Sequence, residues 1–168
     1  DTLTVCSLYF NSQKRAVSLF ADKGDKIKLK GDANLPDLIK VSGNEINEDL
    51  TSFKVANQDL LKQRAHLIHN LEQLNKADTF QSGRTLPVND DYTQVGALNH
   101  QLLLKAEDYI KENPTKVSSL VLISNFFNDS ENPAALKRVL EYIKGDVMNT
   151  QMGLNLKALS DKLNLSVE

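Results

Sequence analysis

Val17-Ser-Leu-Phe-Ala-Asp-Lys-Gly-Asp-Lys-Ile-Lys-Leu-Lys-Gly-Asp32, with Ile39-Lys-Val-Ser-Gly-Asn-Glu45 after it, is the stretch that decides how this chain reads. The first part has the form of a β-hairpin. Ala16 to Ala21 is an apolar run, Asp22-Lys-Gly-Asp25 is a turn in which Gly24 is free to take positive φ, and Ile27 and Leu29 alternate with Lys26, Lys28 and Lys30. That alternation puts one face on a core and one in water, and the lysines discourage edge-to-edge pairing. The second part turns a short strand, with Ile39 and Val41 inward, into a helix start. Asn44 is suited to N-cap duty, and Glu45, Glu48 and Asp49 complement the positive helix end.

Upstream, Leu3 to Phe10 is apolar on both alternating faces, which predicts a strand covered on both sides. It is expected to pair with Ala16–Ala21 across the polar turn at Asn11-Ser-Gln-Lys14. An extended run so close to residue 1 predicts a piece of something larger. No signal-peptide pattern precedes Cys6, and Val5 is too large for a lipoprotein processing site.

Downstream everything reads as helix. Ile46, Leu50, Phe53, Leu60, Leu67, Leu71 and Leu74 keep helical spacing, predicting one helix from Asn44 to about Asn75, roughly 45 Å long. Asn57 and Arg64 interrupt its seam, which favours packing against later helices over a long coiled coil. Ala77 to Asp91 is expected to be a loop. Asp91-Tyr-Thr-Gln94 resembles a capping box for a second helix, which Asn113-Pro114 stops. Thr115 is expected to cap a third helix, the most apolar run, with Val117, Leu120, Val121, Ile123, Phe126 and Phe127. Asn132-Pro133 opens a fourth, ended by Gly145, and a fifth runs from about Thr150 to Leu163. The repeated Glu-Asn-Pro at Glu112 and Glu131 is a common helix-stop signal and reads as an αα-hairpin, not as an array. The expected fold class is therefore α+β: a small antiparallel β region over residues 1–43, forming an incomplete β-sandwich, then a helical bundle of about five helices over residues 44–168.

Composition narrows the function classes. The chain has 168 residues, 40% hydrophobic and 25% charged, with a net charge of −2. That is enough for one real core or two small ones, with no basic field for nucleic acid or an anionic membrane. No apolar run is long enough to span a bilayer.

No residue set proposes itself as catalytic, cofactor-binding or metal-binding. Cys6 is a single cysteine among apolar neighbours and reads as a buried strand position, where a thiol behaves as a small inert hydrophobe. His66 and His69 have metal-compatible spacing, but no third ligand stands in register, and His100 is alone. Asp22, Asp25 and Asp32 flank turns, a common structural use of aspartate.

Phe20-Ala-Asp-Lys-Gly-Asp-Lys-Ile-Lys-Leu-Lys-Gly-Asp32, Val41-Ser-Gly-Asn-Glu-Ile-Asn-Glu-Asp-Leu50 and Tyr109-Ile-Lys-Glu-Asn-Pro114 through Ser119-Leu120 together resemble one family. It is the domain of unknown function that precedes a thioredoxin-like domain in many envelope lipoproteins of Gram-negative anaerobes. The likeness runs over about residues 1 to 165. It implies a β domain with a helical segment serving a thiol–disulfide oxidoreductase or peroxiredoxin-like protein of the periplasm or outer envelope. The partner it implies is a downstream thioredoxin-like domain or another envelope protein. The chain departs from that family in two ways. The family's β domain begins several strands earlier, and the Cys-x-x-Cys of the thioredoxin part is absent, so dithiol exchange is carried by no residue here. The expectation is a non-catalytic accessory module with no cofactor, or alternatively a stand-alone helical protein-interaction domain.

Overall fold

The computed structural model describes residues 3–10, 16–78, 90–129 and 131–165. The turn expected at Asn11–Lys14 and most of the loop expected at Ala77–Asp91 lie outside them, as does the capping side chain expected at Asp91. Among the described residues are four strands and six α-helices: β1 (Thr4–Tyr9), β2 (Ala16–Ala21), β3 (Lys28–Lys30), β4 (Lys40–Ser42), α1 (Glu45–Ala56), α2 (Gln58–Asp78), α3 (Asp90–Glu112), α4 (Val117–Phe126), α5 (Pro133–Leu140) and α6 (Gln151–Leu165). The fold is α+β with a helical bundle. It divides into two compact units, residues 1–102 and 103–168.

In the first unit the strands form two separate two-stranded antiparallel sheets. β1 pairs with β2, Cys6 opposite Leu19 and Leu8 opposite Val17, as the sequence predicts. β3 pairs with β4, Leu29 opposite Val41. The hairpin expected between β2 and β3 does not form. The Asp22–Asp25 turn is present, closed by Asp25 N–H donating to Asp22 O at 3.1 Å, with Gly24 at φ +94°. The chain nevertheless leaves β2 there and finds its partner after the loop containing Pro36. Val17 and Leu19 of one sheet and Ile39 and Val41 of the other form a common buried cluster, flanked by Cys6, Phe10, Ala21 and Ile27. Burial of this kind stabilises by about 1.5–3 kcal/mol per side chain.

β1 departs from expectation. It is not covered on both sides: Val5 is 56% exposed, Leu8 41% and Tyr9 65%. Leu29, expected inward, is likewise exposed, whereas Ile39 and Val41 are inward as predicted.

The long first helix breaks into two at Asn57, which takes φ −115°, ψ +22°. Its side chain explains the break. Asn57 Nδ2 donates to Phe53 O at 2.9 Å, the same carbonyl that accepts its backbone N–H, so a local side-chain bond competes with regular helix. In the sequence Asn57 interrupts the apolar seam; in the structure it is the end of a helix.

The second unit is built on α4, buried without a break from Ser118 to Ile123, as a helix at the centre of a core should be. α5 and α6 pack on each other and on α4. Thr115 does not cap α4; Lys116 holds the N-cap position, and no side chain caps it. Ser119 Oγ instead donates to Asn113 O at 2.6 Å, tying the turn to the helix. Asn132 caps α5 as expected, accepting from Ala135 N–H at 3.3 Å. α5 ends at Leu140, and Gly145, at φ +75°, starts a 3-10 turn rather than closing the helix. Thr150 Oγ1 then accepts from Gly153 N–H at 3.2 Å to open α6.

Candidate functional site

Among the described residues, polar side chains converge on one face of α1. Gly43, at φ +114°, makes the entry: a Cβ there would stand 2.3 Å from the carbonyl oxygen of Lys26, so the strand-to-helix corner admits only glycine. Asn44 then caps the helix as predicted, its Oδ1 accepting from Asn47 N–H at 3.0 Å. Its Nδ2 reaches outward, donating to Phe20 O at 2.9 Å and to Asp25 Oδ2 at 2.8 Å.

Asn47, one turn on, is 2% exposed. Its amide lies against the backbone of Phe20 as a neighbouring strand would: Phe20 N–H donates to Oδ1 at 2.9 Å, and Nδ2 donates to Phe20 O at 2.7 Å. A further turn along, Thr51 does the same for β4. Val41 N–H donates to its Oγ1 at 2.9 Å, and that hydroxyl donates to Val41 O at 2.7 Å. Lys54 ends the row, its Nζ donating to Ile39 O at 3.0 Å. Residues 44, 47, 51 and 54 are spaced 3, 4 and 3 apart, the spacing that normally carries an apolar stripe. Here it carries hydrogen-bonding groups that close strand edges. Backbone groups of Phe20 in β2, Val41 in β4 and Ile39 just before it are satisfied by a helix.

Electrostatics follow the same geometry. Asp25 is held below the usual carboxylate range, first by the Asn44 amide and then by the Asp22 backbone N–H. Burial pushes the Lys54 ammonium below the ordinary lysine range, and the charge of Asp37 opposes that shift. Asp37 also lies 3.7 Å from Arg64 of α2, whose Nη1 donates to Asn99 Oδ1 at 3.0 Å.

Among the described residues of the second unit, one carboxylate is buried, Glu107 of α3, which is 8% exposed. Arg138 of α5 donates Nε and Nη2 to its two oxygens, both at 3.0 Å, in the bidentate geometry that suits guanidinium to carboxylate. The Tyr142 hydroxyl donates to Glu107 Oε1 at 3.1 Å, and Lys111 stands 3.8 Å away and over the Tyr142 ring. The Arg138 hydrogen bond chiefly, then Tyr142 and the neighbouring cations, hold Glu107 below the usual carboxylate range against its burial. Arg138 itself is half-exposed.

The residues weighed from sequence fall elsewhere. Cys6 sits half-buried on β1 opposite Leu19, against the common apolar cluster, with its neighbour Val5 facing solvent. His66, His69 and His100 are exposed on their helices. Among the described residues no group of three or more His, Cys, Asp or Glu gathers where a metal ion would be held. Asp22 accepts from the Lys23 N–H at 2.7 Å and Asp32 from the Asn34 N–H at 2.9 Å, so these carboxylates are engaged in their own turns. Among the described residues no helix is long and apolar enough to cross a membrane.

The sequence reading missed Asn47 and Glu107. The signal for Asn47 was a second asparagine three residues after the N-cap, where a capping box would place Glu or Gln. Glu107 gave none, since its partner lies 31 residues away. Comparison with family models, with curated proteins and with solved structures finds no match in any of the three.

Proposed function

We propose that this chain is a non-catalytic positioning module, serving a thioredoxin-like thiol–disulfide oxidoreductase of the cell envelope whose redox domain is supplied outside these 168 residues. The observation that carries the non-catalytic part is the use made of α1: Asn44, Asn47 and Thr51 terminate on strand backbone, and Lys54 on the Ile39 carbonyl just before β4. Side chains engaged in this way hold a shape and leave no group poised to attack or to accept a proton from a substrate. The thioredoxin link rests on the likeness of the Phe20–Asp32 and Val41–Leu50 stretches to that accessory domain. The half-buried thiol of Cys6 accords with it, because the exchange chemistry then belongs to another pair of sulfurs.

Insulin-disulfide reduction, with the precursor's coding sequence in hand, tests the proposal. The precursor should encode a thioredoxin-like domain, the joined protein should reduce insulin, and residues 1–168 alone should not. Cys6→Ser should leave the joined protein's rate unchanged. Turnover by the 168-residue chain that disappears in Cys6→Ser overturns the reading.

A second reading, a stand-alone interaction domain of an envelope protein, is favoured by the exposed apolar side chains of β1. Capture from envelope extract separates the two. An interaction domain enriches a defined partner, whereas a positioning module need enrich nothing beyond its own polypeptide.

A further inference from the structure

We draw no further inference here: the strongest candidate, the surface formed by the exposed apolar side chains Val5, Leu8 and Tyr9 of β1, carries nothing because no feature of the structure shows what covers it.

Discussion

The first turn of α1 and the C-terminal part of α3 each bury one polar side chain, and they satisfy it in opposite ways. Asn47 is neutral and gives its whole amide to the backbone of a strand. Glu107 is charged and gives both oxygens to side chains, one of which, Arg138, stands half in water. A neutral amide costs little to desolvate once its donors and acceptor are matched, and salt or pH does not alter it. A carboxylate beside a half-exposed guanidinium works against a larger desolvation cost and is screened. The first unit should therefore be insensitive to solution conditions at its clamp, and the second should not.

The largest effect expected is from Asn47→Leu. It leaves the Phe20 N–H buried without its partner, while Asn44 Nδ2 still reaches Phe20 O. One orphaned buried donor with loss of a second bond destabilises by about 2–4 kcal/mol. Urea denaturation at pH 5 and pH 8 should give the same loss, whereas Asn47→Asp, which sets a buried carboxylate oxygen against the Phe20 carbonyl, should cost more at pH 8 than at pH 5. A loss for Asn47→Leu under about 0.5 kcal/mol, or one that varies with pH, would break the contrast drawn above.

Next comes Glu107→Gln. Neighbours hold the folded carboxyl below its ordinary value, so the unfolded chain binds the proton more readily. The stabilisation from its charge is fully present above the unfolded carboxylate pKa of about 4.3 and is lost as pH falls through the folded value. At pH 7 the substitution should cost about 0.5–1.5 kcal/mol, discounted for the exposed face of Arg138, and less in high salt. The wild-type and variant stability curves should converge in acid. Curves that stay parallel from pH 7 down through the acid range would show that shape, and not charge, is what Glu107 supplies.

This contrast also explains which parts of the fold the sequence disclosed. The Asn44 cap and the β1–β2 pairing were legible because each depends on residues adjacent in sequence. The hairpin of β2 with β3 was misread because the alternation of Ile27 and Leu29 specifies a strand but not its partner. The backbone edge of β2 that β3 would have used is held at Phe20 by an amide 27 residues further on. The helix break at Asn57 was visible as a polar residue in an apolar seam, yet its meaning needed the competing bond to Phe53 O. The exposure of β1 was hidden, since an apolar strand with no cover reads the same as one with cover on both faces. Glu107 and Arg138 are paired only by the packing of α3 and α5, and no local pattern points to that meeting.

The smallest effect, and the finest test of the neutral-clamp idea, is at Lys54. It is the one charged member of the α1 row, and burial depresses its pKa while Asp37 partly restores it. Between that lowered folded value and the unfolded value of about 10.4, the unfolded chain binds more protons, so wild-type stability contributed by this group rises with pH. Lys54→Met keeps the apolar stem, removes the bond to Ile39 O and removes the charge that burial penalises. These two losses oppose each other, and at pH 7 the net change should lie within about 0.5 kcal/mol of zero. The difference between wild type and variant should then move in favour of wild type as pH climbs toward 10.4, because the lysine amine sheds its charge and still donates to the carbonyl. A difference that is flat with pH would mean that Lys54 keeps its ammonium in water, and that the row on α1 is neutral only as far as Thr51.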